Sequence, residues 1–73
     1  MILTAVVERV WPNRLLVIDR SNFQNVIVNT NQTRCFMVGD IVSILYNGVM
    51  TRSIPPQIFA IRIWRLFPRR NCR

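Results

Sequence analysis

Turn signals recur along this chain about every ten residues, and only short runs of β-branched and aromatic side chains lie between them. The breaks fall at Pro12-Asn13, Arg20-Ser21-Asn22, Gly39-Asp40, Asn47-Gly48 and Pro55-Pro56. No segment places apolar residues at helical period, so the spacing points to an all-β sandwich or barrel.

Each run then reads as a strand. From Ile2 to Trp11, Leu3, Ala5 and Val7 fall on one face and Val10 on the other, a change of parity that predicts a β-bulge and a long strand able to curl. Arg14 to Asp19 forms the second strand, and Phe23 to Asn29, with Val26 and Val28 on one face, the third. Thr30 to Val38 is a connection that holds one helical turn or only a loop. Ile41 to Tyr46 is apolar enough to be buried on most of both faces. Asn47-Gly48 suits a type I′ turn, which predicts a short hairpin strand over Val49 to Arg52. Pro55 and Pro56 cannot donate ladder hydrogen bonds, so Ser53 to Gln57 is a crossing segment before the last strand, Ile58 to Leu66. Five main strands, a bulged first strand and a connection between the third and fourth match a small OB-type barrel, with an SH3-like barrel as the main competitor. Val42, Ile44, Ile61 and Ile63 are the expected core.

The chain has 73 residues and is 51% apolar, enough for one compact core and no more. One barrel over residues 1–67 and a basic tail over 68–73 account for it. No apolar stretch approaches the length of a membrane span, and the apolar opening lacks a basic leader and ends at Glu8 and Arg9. A cytoplasmic location is the resulting expectation.

Ten basic residues, all of them arginine, face three acids, for a net charge of +7. Such a balance attracts polyanions, whether nucleic acid or an acidic membrane surface, and guanidinium groups suit recognition of phosphate. The two cysteines, Cys35 and Cys72, are far apart, and there is no histidine, so no zinc site can be assembled from them. Reduced thiols are the simplest reading, with a Cys35 to Cys72 disulfide as the alternative.

The stretch Val38-Gly39-Asp40-Ile41-Val42-Ser43-Ile44, with Tyr46-Asn47-Gly48, Met50-Thr51, Ser53-Ile54-Pro55-Pro56-Gln57-Ile58 and Ala60, resembles small bacterial OB-like domains of unknown function, the YobA-like family. A Gly-Asp pair opens the fourth strand in those proteins, and a proline-containing segment ending in glutamine leads into the last. The resemblance spans residues 5 to 63 and implies the fold rather than an activity. Its basic charge and the lack of a lipoprotein-type leader set this chain apart from many such relatives.

Catalysis needs a nucleophile beside a base, paired carboxylates or a metal. Here Glu8 is the only glutamate, Asp19 and Asp40 sit at turns where aspartate caps the local backbone, and Ser21, Ser43 and Ser53 have no activating partner in sequence. No catalytic residue, metal or cofactor is therefore assigned. In the last strand, Arg62 and Trp64 alternate with Ile61 and Ile63, so isoleucines pointing inward would put an arginine and a tryptophan together outside, as single-strand-binding barrels do. Tyr46, Arg52, Arg65, Arg69 and Arg70 extend that candidate surface; the competing reading makes Trp64 a core residue. Trp11 and Phe36 are expected to cap the open end of the core. The expected function is a non-catalytic binding module whose ligand the sequence does not name, with single-stranded nucleic acid as the leading candidate. The alternative is a protein-interaction or structural domain whose basic charge meets an acidic protein.

Overall fold

The computed structural model describes residues 1–67; the tail over residues 68–73, with Arg69, Arg70 and Cys72, lies outside the described residues. Five strands follow one another: β1 (Ile2–Trp11), β2 (Arg14–Asp19), β3 (Asn25–Asn29), β4 (Ile41–Tyr46) and β5 (Gln57–Arg65). They close a barrel in the order β1-β2-β3-β5-β4. Every seam is antiparallel except β3–β5, which is parallel and only three residue pairs long. This is the all-β, five-stranded OB-type arrangement. Among the described residues no helix is long and apolar enough to cross a membrane.

Side-chain alternation along each strand fills the barrel. Val7, Leu15, Val17, Val26, Val28, Val42, Ile44 and Ile58 are fully buried, each contributing on the order of 1.5–3 kcal/mol by leaving water. The expected bulge in β1 is present: Val7 pairs with Val17 and Arg9 with Leu16, which leaves Glu8 as the additional residue. Beyond it Val10 stands opposite buried Leu15, as the parity change requires.

β5 carries a second bulge that the alternation did not anticipate. Leu45 pairs with Arg62 and Tyr46 with Ala60, so Ile61 is inserted between them. Ile58 and Ala60 point inward before the bulge and Ile63 after it, whereas Ile61 is 67% exposed. The expectation of a core Ile61 is corrected on that ground, while Val42, Ile44 and Ile63 hold.

The hairpin strand over Val49 to Arg52 does not form. Gly48 has φ +91, but Asn47 does not share the positive φ that a type I′ turn needs at both positions. Instead the Asn47 carboxamide oxygen accepts from the Val49 N–H at 2.9 Å, and the loop is tied by hydroxyls. Thr51 Oγ1 accepts from the Gln57 N–H at 2.9 Å, and the Ser53 hydroxyl donates to the Pro55 carbonyl at 2.9 Å. The Pro55-Pro56 crossing is as expected, and the Pro56 carbonyl accepts from the Ile27 N–H at 2.9 Å.

The β3–β4 connection contains no helical turn. It folds over one barrel end, where the Thr33 hydroxyl donates to the Pro12 carbonyl at 3.1 Å and Phe36 plugs into the core. Both turn aspartates act on the local backbone: Asp19 accepts from the N–H and hydroxyl of Ser21 at 2.8 Å each, and Asp40 from the Met37 N–H at 2.9 Å. Cys35, in the same connection, is disulfide-bonded, which corrects the reading of it as a reduced thiol.

Candidate functional site

The residues singled out on the sequence do not form one cluster. Tyr46 is 7% exposed and belongs to the core, because it continues the inward series Val42, Ile44 on β4; it offers no stacking surface. Arg65 shares the parity of Ile63 and turns back to donate from its guanidinium to the Cys35 carbonyl, fastening the β3–β4 connection. Arg52 is exposed in the β4–β5 loop, on another side of the barrel. Arg62 and Trp64 do lie together on the outer side of β5 as expected, but Trp64 is only 37% exposed. Arg69 and Arg70 lie outside the described residues.

Strand register shows why the surface divides. The first part of β5 pairs with β3 and the second part with β4, so its outward side chains serve two faces. On the β2–β3 face, one row crosses four strands as Trp11, Arg14, Asn29 and Phe59. At roughly 4.8 Å per strand, it covers about 14 Å. The Arg14 guanidinium carbon lies 5.0 Å from the centroid of the Trp11 ring, a cation–π geometry. Asn29 Nδ2 donates to Gln57 Oε1 at 3.1 Å and to the Ile58 carbonyl at 3.2 Å, which pins the short parallel seam beneath the row. Phe59, at the far end, is 66% exposed. Trp11 is therefore an outer-face residue, which corrects its reading as a cap on the core; Phe36 does cap it.

Toward the opposite barrel end this face continues into a cleft of about 690 Å³ between the strands and the β4–β5 loop. Leu16 and Asn25 line it from the sheet, Gln24 from the β2–β3 turn, and Met50, Arg52 and Pro55 from the loop. Two large apolar side chains stand free near it: Ile54 on the loop at 98% exposure, and Phe23, the neighbour of Gln24, at 82%. Phe23 adopts φ +59, a left-handed backbone that costs a non-glycine residue about 1–2 kcal/mol. The turn holds it there through the Phe23 N–H to the Asp19 carbonyl and the Asp19 N–H to the Gln24 carbonyl, each 2.8 Å.

The second face is made by β1, β4 and the later part of β5. Its rows are Ile2, Leu45, Arg62 and Thr4, Ser43, Trp64, followed by Val6 and Ile41, with Leu66 tied to Ile41 through a 2.9 Å backbone hydrogen bond. Apart from Arg62 no charge interrupts these rows among the described residues. Among the described residues the arginines fall on several sides of the barrel: Arg9, Arg14 and Arg52 border the β2–β3 face, Arg62 stands on the other, and Arg20 and Arg34 are in loops.

Trp11, Arg14 and Phe59 were not assigned to a site on the sequence, since only the pairing of four strands brings them into one row. Comparison with protein-family models, with curated proteins and with solved structures gives no match for this chain.

Proposed function

We propose that this barrel is a non-catalytic binding module for single-stranded nucleic acid, with the β2–β3 face as its interface. The observation that carries the reading is the row Trp11, Arg14, Asn29, Phe59: two aromatic rings flank an arginine and an asparagine in register across the sheet, and no acidic residue shares the row. Rings offer stacking surfaces to unpaired bases of any sequence, and arginines neutralise phosphates. Arg52 in the cleft and Arg9 in the adjoining row extend the charge, and the exposed Phe23 ring adds a further stacking surface. Strands 2 and 3 with the loops at either end are also where OB barrels take oligonucleotides.

A second reading, an interaction domain for an acidic protein, is favoured by two observations. The described arginines are spread over several sides of the barrel rather than forming a single stripe, and the disulfide at Cys35 is of a kind that persists in oxidising surroundings. The resemblance to the YobA-like family is compatible with either reading and rests on the motif residues alone.

Titration of fluorescent oligonucleotides across a salt series decides between them. The nucleic-acid reading expects single strands to bind more tightly than duplex. It also expects the double variant Arg14→Ala, Arg52→Ala to flatten the salt slope by about 0.7 for each phosphate that is no longer neutralised. No binding of single strands at low salt would leave the protein-interaction reading.

A further inference from the structure

The β1–β4–β5 face is unlike the proposed nucleic-acid interface. Ile2, Leu45, Val6, Ile41, Trp64 and Leu66 share this outer face with the hydroxyls of Thr4 and Ser43, Ile2 and Leu66 are exposed, and the single charge in its rows is Arg62. At its centre Ser43 points outward yet is only 6% exposed, covered by its neighbours. Neither its hydroxyl nor the Trp64 indole N–H donates a hydrogen bond among the described residues. The face thus combines apolar bulk, an amphipathic indole whose N–H is unused, and one cation.

We propose that this face seats on an anionic lipid bilayer. Charge decides among occupants. A second copy would join two chains of net charge +7, whereas an anionic surface attracts each arginine that approaches it. Shape points the same way, because the outer wall of a closed barrel is convex and a fluid bilayer accommodates a convex apolar surface without a matching groove. Tryptophan sits favourably at the lipid–water boundary, and arginine reaches from there to the headgroups. The oxygens of lipid phosphates and esters supply acceptors for the Trp64 N–H. The mode is peripheral: side chains enter the interfacial layer and no strand crosses it. It is independent of what the β2–β3 face binds.

The test uses the full chain carrying Trp11→Phe, so that Trp64 is the only indole. It is titrated with vesicles of phosphatidylcholine and with vesicles of phosphatidylcholine mixed with phosphatidylglycerol. Binding should be on the order of tenfold tighter to the anionic vesicles. Trp64 emission should shift to the blue and be quenched by lipids brominated near the headgroup. Ile2→Asp with Leu66→Asp, both at exposed positions, should abolish the blue shift and weaken binding at least tenfold, while thermal unfolding and oligonucleotide binding stay as in the parent. Three results would overturn the proposal: no response to anionic vesicles, adsorption without quenching, or a lipid-free dimer whose Trp64 emission is already blue-shifted.

Discussion

β5 runs through two surfaces of opposite character within nine residues. Where it pairs with β3, its outward Phe59 joins a row that contains Arg14 and leads toward a cleft edged by Arg52. Where it pairs with β4, its outward Trp64 lies over Ser43 in a face of mostly apolar residues and two hydroxyls, whose one charge is Arg62. The bulge at Ile61 stands between the two parts. A closed barrel has one inside and an outside that must turn through a full circle, so neighbouring outward residues on a tilted strand come to face different directions. Aromatic residues on one strand therefore need not share a ligand, and the register of the neighbouring strands assigns each to its surface.

The largest effect should come from breaking the bulge's assignment of inside and outside. Ile63→Ala removes buried core volume and should cost about 2–5 kcal/mol in denaturant unfolding. Ile61→Ala, two positions away, should stay within about 0.5 kcal/mol of the parent because its side chain is mostly in water. Equal losses at the two sites would mean that β5 alternates without interruption and that the two faces are wrongly divided.

That pair of isoleucines also marks the limit of what the chain discloses before folding. Strand positions, the β1 bulge and most of the core were legible, since they depend on local parity: Leu3, Ala5 and Val7 announce an inside, and Val10 announces a shift. Ile61 carries no such signal, because Arg62 and Trp64 would alternate with it equally well in an unbulged strand. The candidate site was harder still. Trp11, Arg14, Asn29 and Phe59 are spread over most of the chain and meet only through three seams of the sheet. Asn47-Gly48 misled for a different reason: its turn preference is real, but the hydroxyls of Thr51 and Ser53 and the prolines beyond offer the loop its own hydrogen bonds in place of a ladder.

A smaller effect concerns the rim of the cleft. Phe23→Gly relieves the left-handed backbone and should raise stability by up to about 1 kcal/mol, while removing an exposed ring beside the β2–β3 face. More stable protein with weaker oligonucleotide binding would place Phe23 in the interface. More stable protein with unchanged binding would confine the interface to the row that ends at Phe59.

The division of labour between the two faces is tested most directly by titrating one single-stranded oligonucleotide against Phe59→Ala and Trp64→Ala in parallel, with thermal unfolding of both as a check on folding. Stacking on an aromatic ring is worth about 1–3 kcal/mol per base, so Phe59→Ala should weaken binding by roughly five- to a hundredfold and Trp64→Ala by less than about twofold. The reverse order, with Trp64→Ala the damaging change in a folded protein, would contradict the account and return the interface to the second part of β5.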